Sequence, residues 1–330
     1  MFHKLREIGA LGAVFLAICT VAVKASAQTA PEAPSIPYQI IPAWGNLPEG
    51  RDWGSSSGIS TDREGHVWVI ERCGGNSCFD RTEAPVLEFD PSGRLLKSFG
   101  AGMFVFPHGL FVDKDNNVWI ADADGKDGKG HQVVKFSPEG KVLMTLGKPG
   151  VAGDGPDTFN CPSGVAVAPN GDIFVSDGHG QNGNDRIVKF SPNGKFLIAW
   201  GKKGTGPGEF GEPHAIALDS TGRVFVADRV NNRIQIFDQN GTFLEQWTQF
   251  GRPSNIFFDK KGMIYVTDNT DPRTSEWPKG IRIGSVKDGE VTAFIPDPDT
   301  EFITLDASGN IYAVAAMAVP NKRIKKYIKQ

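Results

Sequence analysis

Residues 213–247 read PHAIALDSTGRVFVADRVNNRIQIFDQNGTFLEQW. Ala215 to Asp219 is a short apolar run, Ser220-Thr221-Gly222 supplies a turn, and Val224 to Asp228 is a second apolar run ending on an acid. Arg233 to Phe237 alternates, Asp238 to Gly241 turns again, and Thr242 to Trp247 gives a fourth segment. Short β-branched and aromatic runs bounded by Gly, Asn and Asp turns predict four antiparallel strands. The first two are apolar throughout, as strands buried on both faces must be, and the later, more polar ones lie toward a rim.

The second of these runs recurs along the chain. It stands at Val67 to Glu71 (VWVIE), Val118 to Asp122 (VWIAD), Ile173 to Asp177 (IFVSD), Val224 to Asp228 (VFVAD), Ile264 to Asp268 (IYVTD) and Ile311 to Ala315 (IYAVA). Successive starts are 51, 55, 51, 40 and 47 residues apart, the spacing of four-stranded propeller blades. Forty Gly and 22 Pro at turn positions agree with β structure. The chain is therefore expected to be all-β, a six-bladed β-propeller. The last unit stops at Ile324 to Tyr327 without a fourth strand, while Ile40-Ile41-Pro42-Ala43-Trp44-Gly45 resembles the fourth strand of unit three, Phe196 to Gly201. The N-terminal strand is expected to complete blade six and remove two exposed edges at once. Pro42 fits there because the outermost strand is an edge.

The first 27 residues stand apart from this pattern. Lys4 and Arg6, the apolar run Ile8 to Val23 and the Ala25-Ser26-Ala27 site read as a secretory signal peptide, which leaves residues 28–330 as one domain. The expectation is an exported protein, secreted and periplasmic, with no membrane span after cleavage, and a monomer. Its formal charge of -3 becomes about -5 when Lys4, Arg6, Lys24 and Glu7 are removed. An evenly charged, mildly acidic chain lacks the basic footprint of a nucleic-acid binder. In an oxidising compartment Cys73 and Cys78, four residues apart in between, are expected to pair as a disulfide, since no second Cys pair completes a metal site. Cys161 is left as a buried free thiol.

Three of the six first-strand starts carry a metal-ligand type, and they alternate. They are His108 in Pro107-His108-Gly109, His214 in Pro213-His214-Ala215, and Glu301 before Phe302-Ile303, with Ser57, Ser163 and Ser254 between them. In a ring of six similar units, alternate units stand about 120° apart, so these side chains would converge on the axis and hold one metal ion. Antiparallel order puts the start of strand one and the end of strand two on the same face. Arg72, Ala123, Gly178 with His179, Arg229 and Asn269 should therefore share that rim. Guanidinium groups beside a metal suit a substrate carboxylate.

Other readings of the same residues are available. Each imidazole could simply bond a neighbouring backbone, and Arg72 and Arg229 could pair with acidic neighbours. Asp122, Asp177, Asp228 and Asp268 recur at the strand ends and read as structural turn-formers. Lys322 to Lys329 reads as a polar strand and a solvated end.

The stretch GVAVAPNGDIFVSDG…RIVKFSPNGKFLIAWG (164–201), with PHAIALDSTGRVFVADRVNNRIQIFD (213–238), resembles NHL-repeat propellers and among them is most similar to the peptidyl-α-hydroxyglycine α-amidating lyases (peptidylamidoglycolate lyases). The resemblance runs from about Gly58 to Asp238. It implies a six-bladed propeller with zinc held by three histidines, which cleaves the C–N bond of a C-terminal α-hydroxyglycine to a peptide amide and glyoxylate. The first two zinc ligands match His108 and His214, and the third falls at or beside Glu301. The family's two substrate-binding arginines match Arg72 and Arg229. Its tyrosine base is replaced by His179 in a longer loop, which makes His179 the candidate base. Its channel calcium uses an Asp for which this chain offers Phe302, so calcium has weaker support than zinc or another divalent transition metal.

The sequence thus points to a metal-dependent lyase-like enzyme with His108, His214 and Glu301 as ligands and with His179, Arg229 and Arg72 as the catalytic and substrate-binding set. The ligand expected is a peptide or small carboxylate. A non-catalytic propeller that captures such a ligand at the channel mouth is the alternative. A lactonase-like hydrolase is the third, but it would want Glu, Asn and Asp around calcium where this chain offers imidazoles.

Overall fold

A computed structural model describes residues 38–269, 277–315 and 324–330 of the chain. The expected signal peptide lies outside the described residues, as does part of the basic tail at 322–323. Six four-stranded antiparallel sheets make a six-bladed β-propeller. Their innermost strands are Ser56–Thr61, Pro107–Val112, Pro162–Val167, Pro213–Leu218, Pro253–Phe258 and Phe302–Leu305. Each innermost strand lies against that of the next blade, and the last returns to the first, which closes the ring.

The second strands are the driest part of the molecule. Val67–Glu71, Ile173–Asp177 and Val224–Asp228 are buried at every position. Their side chains alternate between the two faces of a sheet, so each blade fills the space toward both neighbours. Trp119, Ala121 and Val133 of blade two thus share a core with Val165, Val175 and Phe190 of blade three. The fourth strands alternate between half-buried and exposed residues, as in Phe196–Trp200.

Blade six is completed by the N-terminal strand. Tyr38–Trp44 pairs antiparallel with Ile324–Lys329, and is the outermost strand of the sheet that continues through Ile311–Val314 to Phe302–Leu305. Pro42 stands where the register breaks between Ile41 and Trp44, so its missing N–H costs no ladder bond. Trp44 seals the joint, with its ring 4.8 Å from that of Tyr312 and 5.8 Å from that of Phe89 in blade one.

Two sequence expectations are refined. Cys161 is free but only partly buried, because the loop that carries it rides over the rim. The strand-two acids do more than form their own turns, since each accepts backbone N–H groups from the loop that leads into strand one of the same blade. Asp122 takes Val105 and Phe106, Asp177 takes Asn160, Asp228 takes Gly211, and Asp268 takes Arg252. Glu71 does the same for Gly54. These bonds fix the chain two or three residues before each channel-facing side chain.

Candidate metal and ligand site at the channel mouth

The alternation of His and Ser is a hydrogen-bonded belt that passes from blade to blade. Ser57 Oγ donates to Pro107 O (2.6 Å), His108 Nδ1 to Ser163 O (2.8 Å), Ser163 Oγ to Pro213 O (2.5 Å), and His214 Nδ1 to Ser254 O (2.7 Å). Each carbonyl can only accept, so each Nδ1 carries the proton. The lone pair of each imidazole is therefore on Nε2. The belt also explains Gly109: a Cβ there would lie 2.5 Å from Ser163 O, the acceptor of His108.

His179 joins the two belt imidazoles. Its ring is 4.3 Å from that of His108 and 5.5 Å from that of His214, and the latter two rings are 4.7 Å apart. One ring nitrogen from each of the three lies within 4.8 Å of the others. His108 and His214 are wholly buried, and burial first, then neighbouring positive groups, hold both below the usual histidine range. His179 is pulled down to about 3 by burial and then by His214 and Arg229. Three neutral imidazoles with converging nitrogens form a donor set suited to a transition metal.

Glu301, expected as the third ligand, lies outside that group. Its Oε1 accepts from Arg229 at 2.9 Å and stands 3.2 Å from His214 Nε2. That second contact brings an oxygen lone pair against the lone pair of a neutral imidazole, and His214 Nε2 is buried without a hydrogen-bond partner among the described residues. A cation between or beside them would remove the conflict. Burial pushes the Glu301 carboxyl up, but the Arg229 and Arg72 guanidinium groups oppose it and favour the carboxylate. The site thus gathers His108, His214, His179, Glu301 and Arg229.

The two arginines are held differently. Arg229 is clamped by Glu212, with Nε on Oε2 at 3.1 Å and a terminal nitrogen on Oε1 at 2.6 Å. Arg72 is buried beneath the disulfide that joins Cys73 and Cys78. Its Nε donates to Pro107 O, one terminal nitrogen donates to Asn76 Oδ1 inside the disulfide loop, and its guanidinium stacks 3.6 Å over Phe106. Burial lowers Arg72 to about 10, which leaves it charged at neutral pH.

Sequence reasoning missed Glu212, and it placed Phe302 in the channel without foreseeing its contact with the imidazoles. Glu212 immediately precedes Pro213-His214, and an acid at that place in the repeat was the available signal. The Phe302 ring lies 5.3 Å from that of His108 and 5.6 Å from that of His214, one residue farther along strand one than Glu301. It brings a hydrocarbon wall, with no oxygen donor for calcium.

Comparison with known proteins fits this geometry. The NHL repeat family matches residues 159–190 and 210–237. NHL repeat-containing protein 3 of Homo sapiens is 33% identical over 255 residues, which cover 74% of this chain and 72% of that one. Peptidyl-alpha-hydroxyglycine alpha-amidating lyase 1 of Drosophila melanogaster is 34% identical over 223 residues, 59% of this chain and 40% of the lyase. Among solved structures, a gluconolactonase from Xanthomonas campestris superposes with a TM-score of 0.60 at 14% identity, over 91% of this chain and 99% of that one, a likeness of fold alone.

Proposed function

Because the chain belongs to the NHL-repeat proteins and is similar to amidating lyases, we propose that it is a metal-dependent, lyase-like propeller enzyme whose centre is the three-imidazole group. The observation that carries this is His214 Nε2: fully buried, unprotonated because Nδ1 holds the single proton of a neutral ring, and without a hydrogen-bond partner among the described residues. Such an atom costs free energy unless something binds it. His108, His214 and His179 would hold zinc or another divalent transition metal, and the metal would act as a Lewis acid that polarises a substrate oxygen.

The chain's own groups do the rest. Ser163 O and Ser254 O fix the tautomers and ring angles of His108 and His214. Phe302 and Phe106 exclude water from one side of the imidazoles. Arg72 presents a positive, partly committed guanidinium to the anionic end of a peptide or small ligand. His179 in the donor set is not free to act as a base through the same nitrogen. The nearest carboxylate to the donor set is Glu301.

A binding propeller without catalysis is the second reading. The observation that favours it is the full engagement of Arg229 by Glu212 and Glu301. The Cys73–Cys78 disulfide supports export to an oxidising compartment such as the periplasm.

The test is metal analysis of the purified protein against a His108→Ala, His214→Ala double variant, followed by glyoxylate release from an α-hydroxyglycine peptide. A stoichiometric metal lost in the variant supports the centre, and its absence from the wild type refutes it. Metal without glyoxylate release leaves a metal-binding propeller and removes the lyase chemistry.

A further inference from the structure

A half-buried guanidinium beside a group of imidazoles, at the mouth of a channel, is a seat for a ligand carboxylate. In this protein the seat is taken. All three nitrogens of Arg229 carry a carboxylate oxygen: Glu212 takes Nε and one terminal nitrogen, and Glu301 takes the other at 2.9 Å. The two acids are not equally fixed. Glu212 Oε1 also accepts the backbone N–H of Gly180, so it is tied into the rim. Glu301 meets Arg229 and faces His214 Nε2 through the same oxygen, and among the described residues its Oε2 accepts no hydrogen bond.

The formal charges of the four groups cancel: Arg72 and Arg229 give two positive, and Glu212 and Glu301 give two negative. They are not evenly placed. Both acids bond Arg229, while Arg72 bonds only neutral groups, Pro107 O, Asn76 Oδ1 and the Phe106 ring, and feels Glu301 and Asp122 through space. The mouth therefore has one arginine bonded by both acids and one bonded by neither.

We propose that Glu301 is a resident carboxylate that fills the anion seat on Arg229 and sets the ligand class. The ligand brings a hydroxyl or carbonyl oxygen to the imidazoles and a single anionic group to Arg72, and a carboxylate aimed at Arg229 is refused. This refines the site proposed above and rests on that reading only for the statement that the imidazoles are where a ligand oxygen arrives.

Calorimetric titration with N-acetylglycine and with its uncharged amide tests it, on the protein as purified and after chelation. Glu301→Ala frees one terminal nitrogen of Arg229, so N-acetylglycine should bind about tenfold or more tightly than to wild type, the scale of one charged hydrogen bond. The amide should change less than about twofold. Glu301→Gln should move in the same direction, which guards against a folding defect in the smaller variant. Adding Arg229→Gln should abolish the gain. Wild type that binds N-acetylglycine as tightly as Glu301→Ala, or a gain that survives Arg229→Gln, overturns the proposal. The chelated samples separate the two ideas: a wild type that never carried metal defeats the metal centre, while the Glu301 effect is still read directly.

Discussion

His214 Nδ1 sits 2.7 Å from the carbonyl oxygen of Ser254, a residue of the following blade. The bond decides which imidazole nitrogen is left for the channel, and it makes the orientation of a blade-four side chain depend on the packing of blade five. His108 repeats the relationship with Ser163.

If these imidazoles hold a metal, single His108→Ala and His214→Ala variants should each lose most of their metal at equilibrium. Loss of a second-sphere partner weakens metal sites by about 10–100-fold, and loss of a ligand should exceed that. Elemental analysis after dialysis against a weak chelator measures it. His179→Ala should behave in the same way, whereas a base-only role predicts full metal occupancy.

The belt makes unequal predictions for equivalent serines. Ser163 Oγ is buried and bonds Ser176 Oγ and Pro213 O, so Ser163→Ala should cost about 1–3 kcal/mol. Ser254 Oγ is equally buried but has no hydrogen-bond partner among the described residues, so Ser254→Ala should be near neutral in a denaturant titration. Equal costs at the two positions would contradict the belt.

Burial raises Asp122 to about 7, despite the Val105 and Phe106 amides that favour its charge. An unfolded Asp titrates near 3.9. Between about pH 4 and 7 the folded state therefore holds a proton that the unfolded state has released, and stability falls as pH rises through that window. Asp122→Asn should flatten this part of the pH–stability curve, as followed by chemical denaturation.

The Cys73–Cys78 loop carries Asn76, a partner of Arg72. Replacing both cysteines by serine should cost about 2 kcal/mol from loop entropy alone. It should also loosen Arg72, which would weaken binding of a small anion while metal content stays unchanged. Anion affinity equal to wild type would show that the loop does not position the arginine.

Trp44→Ala should destabilise by about 3–5 kcal/mol, as for other large core truncations. Its ring joins blade six to blade one through Tyr312 and Phe89.

The fold was legible because a propeller writes the same strand six times. VFVAD and its relatives announce the buried second strands, and the likeness between residues 40–45 and 196–201 announces the closing strand. His108 and His214 were legible for the same reason, since they occupy one register position in two blades. His179 was visible as a rim residue but not as a third donor, because a loop of irregular length carries it over the axis and no repeat fixes its reach. Glu301 was placed on the right rim, but its partner was not foreseen. Glu212 belongs to the lead-in loop of blade four, and only the folded geometry brings it to Arg229. Side chains that meet across the channel belong to strands that never pair, so no local pattern records the meeting.

The pairing of Tyr38 with Lys329 spans nearly the whole described chain. No other strand pair joins residues so remote in sequence among those described, and the entropy of closing so long a loop must be met before the contact forms. Blades one to five can each assemble from neighbouring sequence as it becomes available. Blade six needs both ends only for its outermost strand, while Phe302–Leu305 pairs with Ile311–Val314 from neighbouring sequence. The last pairing to form is therefore at the outer edge of blade six, and a chain without its N-terminal strand would leave Ile324–Lys329 as an unpaired edge open to another chain.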